Sequence, residues 1–189
     1  LVEGLDTDRA DIRQARKYIR QQGSYGPVSV RYFEGESLPY VRNSVNLIVS
    51  EHSADVPMEE IRRVLKPGGV AHIAGEKTVK ATPEDMDEWT HFLHDSGGNA
   101  VSEDDRIHPP KALRWVAKPL HCRSHEFPSS VQSVVTAGGR IFTILDKAPS
   151  GVYEKLPQKC QLVARDAFNG KLLWRVPLRK WGKKYGTGS

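Results

Sequence analysis

The chain has 189 residues, with 28 Lys and Arg against 23 Asp and Glu, a formal net charge of +5 and 38% hydrophobic residues. That is room for about one or two domains, and no apolar run approaches the ~20 residues that a membrane-spanning helix requires. Two cysteines, Cys122 and Cys160, permit a disulfide without arguing for one, so they leave the redox compartment open.

In chain order, Leu1, Val2 and Leu5 read as the end of a strand. Residues 10–22 carry Ile12, Ala15, Arg16 and Ile19 at helical intervals, with Asp6 in the turn between. A second strand spans residues 28–33 and runs into Glu34, Gly35, Glu36 and Ser37. Val45, Leu47, Ile48 and Val49 then form a short apolar run interrupted only by Asn46, the pattern of a strand covered on both faces in a parallel sheet. Between residues 58 and 65, Met58, Ile61, Val64 and Leu65 recur at helical spacing. Glu59 and Glu60 lie near the start and Arg62, Arg63 and Lys66 near the end, which suits a helix dipole. Pro67, Gly68 and Gly69 stop that helix, and residues 70–74 open another strand.

The wording of this half, LPY at residues 38–40, a strand ending at Ser50, and RRVLKPGGV at residues 62–70, resembles the class I S-adenosylmethionine-dependent methyltransferases. The resemblance runs from Leu1 to about Gly75. It implies a Rossmann-like α/β fold, S-adenosylmethionine as cofactor and methyl transfer to an acceptor that the sequence does not name. It places Asp6 at the carboxyl end of the family's second strand, where a carboxylate accepts hydrogen bonds from ribose hydroxyls; capping of the following helix by Asp6 or Asp8 is the competing reading. It puts Glu36, with Glu34 as an equally placed acceptor, in the loop that touches the adenine. Ser50, Glu51 and His52 follow at the end of the next strand, where open α/β sheets place reacting groups. Ser50 is there a cofactor-lining residue, Glu51 and His52 face the acceptor, and His52 is the candidate general base; exposed loop polar groups are the plainer reading of both. The family's first strand and the glycine-rich loop after it are not found, so the chain reads as a piece of something longer with a partial or degenerate cofactor site.

A different texture begins near Met86, and the domain boundary is expected between Glu76 and Glu84, with residues 77–112 as a junction. His91 and His94 are spaced to share one helical face and His108, His121 and His125 follow, but no compact set of Cys and acidic ligands completes a metal site. Trp89, Phe92 and Leu93 are expected to anchor the segment, leaving the histidines half exposed. Strands are then expected at residues 113–116, 131–137, 140–145 and 161–165, with Gly138-Gly139 as a hairpin turn and residues 147–159 as an insertion.

Ala164, Asp166, Gly170 and Trp174 fit an AxDxxxGxxxW pattern similar to the pyrroloquinoline quinone (PQQ) type β-propeller repeats. That resemblance makes residues 113–182 a first all-β propeller blade, with Trp174 packing between neighbouring blades. Many such repeats are scaffolds, so the pattern does not by itself imply PQQ as a cofactor. As a whole, the chain is similar to bacterial proteins that join a methyltransferase-like segment to a quinoprotein-like propeller. The basic residues of the tail, Lys180, Lys183 and Lys184 among them, lie beside Trp181 and Tyr185. They can attract nucleic acid but fall at a blade end and in a glycine-rich tail, of which residues 183–189 are expected to be poorly ordered. Three functions therefore stand: a methyltransferase, a non-catalytic propeller scaffold that recognises a protein partner, and a PQQ-dependent oxidoreductase. A cytoplasmic location goes with the first, and a periplasmic or secreted one with a dominant propeller.

Overall fold

The computed structural model describes residues 1–52, 56–104, 113–118, 131–148 and 159–179. The chain divides into two compact units, Leu1–Ala81 and Thr82–Ser189.

In the first unit, β1 (Val2–Asp6) and β2 (Val28–Tyr32) pair in parallel with Asp6 opposite Tyr32, and α1 (Arg9–Gln21) crosses between them. Asp8 starts α1 because its carboxylate accepts the N–H groups of Ala10 and Asp11, satisfying donors that the first turn leaves open. The helix is highly charged and sinks only one side: Ile12 is buried, Ala15 and Ile19 are half-buried, and the Arg16 guanidinium donates to the Val30 carbonyl at 3.0 Å.

β3 (Val45–Ser50), α2 (Met58–Val64), β4 (Leu65–Ile73) and β5 (Glu76–Val79) build a separate three-stranded sheet in the order β3-β4-β5, with β3 and β4 parallel and β5 antiparallel. The helix ends one residue earlier than its apolar spacing suggests, because Leu65 already pairs with Val45. The register then jumps to Leu47 opposite Val70, so residues 66–69 are looped out between two paired stretches. Gly69 is required inside that loop: a Cβ there would lie 2.8 Å from the Lys66 carbonyl oxygen and 3.1 Å from that of Val45, both backbone atoms that cannot step aside. Lys80, just past β5, secures the same corner. Its N–H donates to Gly69 O, its carbonyl accepts from Gly68, and its ammonium donates to the carbonyls of Arg62 and Leu65 and to Asn43 Oδ1. Partial burial lowers the Lys80 pKa, with the nearby Arg42 charge acting in the same direction.

The core is made by Leu38, Val56, Ile61, Val64, Leu65 and Ala71, against which Leu5, Phe33, Tyr40, Val45, Ile48 and Ile73 pack. One expectation fails here. β3 is not covered on both faces: Leu47 and Val49, which share one face, are 57% and 64% exposed. Ile48, on the opposite face of the strand, is the residue that reaches the core.

The second unit holds β6 (Val131–Ala137), β7 (Arg140–Asp146), β8 (Cys160–Asp166) and β9 (Leu172–Pro177) as one antiparallel sheet in chain order. Gly138 and Gly139, at φ +56° and +67°, form the two-residue hairpin turn between β6 and β7. Cys160 is buried, and the Lys147 N–H meets the Lys159 carbonyl at 3.1 Å, closing the ends of the insertion. Residues 113–116 are not a strand, contrary to their apolar spacing: Leu113 and Val116 are 86% and 66% exposed, and Trp115 instead donates its indole N–H to the Ala167 carbonyl at 3.0 Å. The described residues contain a single four-stranded sheet and no closed propeller. His108, His121, His125, Cys122, the interior of the insertion, and Lys180, Trp181 and the tail at 183–189 lie outside the described residues.

Candidate functional site

The parallel pairing of β1 and β2 brings Asp6 beside the loop that follows β2. The Phe33 N–H donates to the Asp6 carbonyl at 3.1 Å, and Gly35, at φ +94°, sits where a Cβ would be 3.7 Å from the Thr7 methyl. Asp8, not Asp6, caps α1. The Asp6 side chain points its Oδ1 at the Asp8 N–H, 2.8 Å away, and its second oxygen takes no hydrogen bond among the described residues. Glu34 and Glu36 stand exposed in the adjacent loop. Beside it, Arg9 lies over the Tyr32 ring at 4.0 Å, a cation–π contact that ties the start of α1 to the end of β2.

Ser50, Glu51 and His52 form a second group at the carboxyl end of β3. The Ser50 hydroxyl donates to the His52 carbonyl at 2.9 Å and the Ser50 carbonyl accepts from Ala74, while Glu51 and His52 are exposed. No hydrogen bond joins this group to the Asp6 and Glu36 group among the described residues. The five residues singled out by sequence therefore fall into two sets on two sheets.

Between the sheets runs Leu38-Pro39-Tyr40, and it is held from three elements. The Arg63 guanidinium on α2 makes a forked ion pair with Glu60, at 2.6 and 2.7 Å. Glu60 Oε1 accepts the Leu38 N–H at 2.7 Å and the Ser37 hydroxyl at 3.3 Å, and Arg63 Nη2 donates to the Leu38 carbonyl at 3.1 Å. Arg31 on β2 reaches the Pro39 carbonyl at 3.5 Å and the Glu3 carboxylate at 3.0 Å; Tyr40 donates its hydroxyl to the same Glu3 oxygen at 2.7 Å. The Arg63 hydrogen bond holds the Glu60 carboxyl down at about 2, with the Leu38 N–H adding to it. Burial, then the hydrogen bond to Glu3, pushes the Tyr40 phenol up to about 12. Sequence reading took Glu60 and Arg63 only as dipole-matched charges. Their i, i+3 spacing was the available signal for the pair itself.

In the second unit, the spacing of His91 and His94 is not helical. The two residues meet across a bridge, with the His91 N–H on the His94 carbonyl at 3.1 Å and His94 at φ +72°. Phe92 and Leu93 are 74% and 45% exposed, and Trp89 exchanges two hydrogen bonds with Thr136 of β6. Rather than half exposed, His94 is 6% exposed. Its Nε2 lies 2.9 Å from both oxygens of Asp87, its ring meets Trp89 edge-on, and Asp87 also accepts from the Ser102 hydroxyl and the Glu103 N–H. Asp87 is the hub of this cluster, so it lacks the Ser–His–Asp order of a nucleophilic triad. Among the described residues no group of three or more His, Cys, Asp or Glu is arranged to hold a metal ion.

Asp166 ends β8 in a tight turn, where its Oδ1 accepts the N–H groups of Phe168 and Asn169 and its carbonyl accepts that of Gly170. Trp174 packs against Phe142, with ring centroids 5.9 Å apart, and remains 42% exposed.

Comparison with known families agrees with the architecture of the first unit: residues 1–73 match the family model described as a methyltransferase domain, of the class I S-adenosylmethionine-dependent type. No curated protein matches the chain. The acceptors present fit the cofactor of that family, whose ribose hydroxyls and adenine amine donate: Asp6, with an oxygen that takes no hydrogen bond among the described residues, ends β1 beside a loop of exposed carboxylates.

Proposed function

We propose that the first unit binds S-adenosylmethionine and directs its methyl group to an acceptor. Asp6 receives the ribose hydroxyls through its open oxygen, Glu36 takes the adenine edge, and Ser50 lines the cofactor on the side of β3. Glu51 and His52 face the acceptor. The observation that carries this reading is the placement of Asp6 at the end of β1 against the loop after β2, within a stretch matched by a methyltransferase family. When bound, the cofactor supplies an electrophilic methyl carbon on a sulfonium, which leaves as a neutral thioether once the acceptor's nucleophile takes the methyl. The residues' task is then alignment and exclusion of water, with His52 accepting the proton of an O–H or N–H acceptor. Titration calorimetry of the chain with S-adenosylmethionine tests this: Asp6→Ala should weaken binding at least about tenfold, and absence of heat with the unaltered chain would sink the reading.

A second reading concerns the second unit. We infer that its sheet is one blade of a β-propeller scaffold that recognises a partner. Four antiparallel strands in chain order, the Asp166–Gly170 turn, and exposed Leu172, Leu173, Trp174 and Val176 on β9 support it. Titration with PQQ followed by visible absorbance separates scaffold from quinoprotein: no spectral change is expected, and a saturable change would revive a redox role.

A further inference from the structure

Glu60 and Arg63 lie on α2, away from the strand ends, yet both act on the residues that directly follow Glu36. Together they take the N–H and the C=O of Leu38 and the hydroxyl of Ser37. The Leu38 side chain is buried in the core, so its peptide groups are fixed from both directions. At the other end of the same loop, the Phe33 N–H is tied to the Asp6 carbonyl. Residues 34–37 thus hang between two fixed points, with Gly35 at positive φ and exposed Glu34 and Glu36 between them. A short, charged, glycine-containing loop loses conformational freedom when a ligand orders it, and a loop already pinned loses less. The Arg63 hydrogen bond holds the Glu60 carboxyl down at about 2, so the carboxylate that accepts from Leu38 stays charged in mild acid as well.

We infer that Glu60 and Arg63 are positioning residues for the Glu34–Ser37 loop, holding Glu36 in its ligand-ready place without themselves touching the ligand. The inference rests on the cofactor reading above. Its test uses the full chain in four forms: unaltered, Glu60→Gln, Arg63→Lys and Glu36→Gln, with the Glu36→Gln/Glu60→Gln double variant completing a cycle. Amide hydrogen exchange at Leu38, whose N–H Glu60 accepts, should quicken about tenfold in Glu60→Gln and Arg63→Lys while amides of β4 keep their rates. Affinity for S-adenosylmethionine should fall about five- to tenfold in Glu60→Gln, and much less when Glu36 is already Gln. Arg63→Lys carries the test if Glu60→Gln does not fold. Unchanged exchange at Leu38 overturns the grip, whatever the ligand does. Additive losses in the cycle overturn action through Glu36. An unaltered chain that gives no heat overturns the cofactor role of the loop, while exchange still decides whether the pair holds it.

Discussion

The Lys80 ammonium donates to the Leu65 carbonyl oxygen at 2.8 Å, joining the end of β5 to the residue where α2 becomes β4. The same ammonium takes the Arg62 carbonyl at 2.7 Å, so one cation satisfies acceptors that the last turn of α2 leaves open. Replacing Lys80 by Met keeps the stem and removes every donor. The expected cost is about 1–3 kcal/mol, the scale of hydrogen bonds from a charged group, read as a shift in the denaturant midpoint. A midpoint equal to that of the unaltered chain would show that water replaces Lys80 without loss.

Gly170 belongs to a different corner. At φ +70° it lies so close to the Trp115 indole that a Cβ would stand 2.5 Å from two ring carbons. Gly170→Ala should therefore cost more than the roughly 1–2 kcal/mol of a left-handed alanine alone, since the indole, held by its bond to Ala167, must also move. In a Trp115→Leu background the penalty should shrink towards the backbone value. An equal penalty in both backgrounds, measured by thermal unfolding, would remove the ring from the explanation.

Two shifts of opposite sign meet at Asp87 and His94. The His94 hydrogen bond, then the Glu103 N–H, hold the Asp87 carboxyl below the usual range. The hydrogen bond to Asp87 raises the His94 imidazole, and the charges of Asp87, Asp95 and Glu103 add to the rise. A depressed acid contributes stability above its unfolded value of about 4 and loses it as pH falls through its folded value. A raised base contributes below its unfolded value of about 6.5 and loses it as pH climbs through its folded value. The pair should thus hold the 87–103 segment best at mildly acidic to neutral pH and let go in stronger acid and in alkali. Trp89, edge-on to His94, offers a fluorescence probe. The difference in Tm between the unaltered chain and His94→Gln should be widest in that middle range, and a difference independent of pH would contradict the pairing.

Most regular elements of the first unit are legible in the sequence because their cause is local. Ile12, Ala15 and Ile19 repeat at helical spacing, and Val45 to Val49 is a plain apolar run. The same run could not reveal that the Leu47 and Val49 face of β3 stays exposed, because apolar content reports what a strand can bury and not which neighbour arrives. β5 escaped notice since Glu76, Lys77, Thr78 and Val79 hold one strongly apolar residue; its strand conformation comes from pairing with β4 across a two-residue turn. Residues 113–116 were over-read for the converse reason, apolar side chains with no ladder to join. At the candidate site, the family resemblance put Asp6 at a strand end, and Asp6 is the last residue of β1, but the grip on Leu38 joins residues 22 and 25 positions apart. No periodicity within α2 encodes that reach. The Asp87 partner of His94, seven positions away with no helix between them, is hidden in the same way.

The Leu38-Pro39-Tyr40 segment makes the first unit recognisable as text, yet much of its hold is on peptide groups and the residues doing the holding are spelled elsewhere. Arg63 and Glu60 grasp the main chain of Leu38, Arg31 that of Pro39, and Glu3 only the far tip of Tyr40. Pro39 is exposed and Tyr40 half-buried. A relative that has changed Pro39 can therefore keep the joint intact, whereas one that retains all three letters but changes Glu60 or Arg63 has a matching label on a loosened hinge.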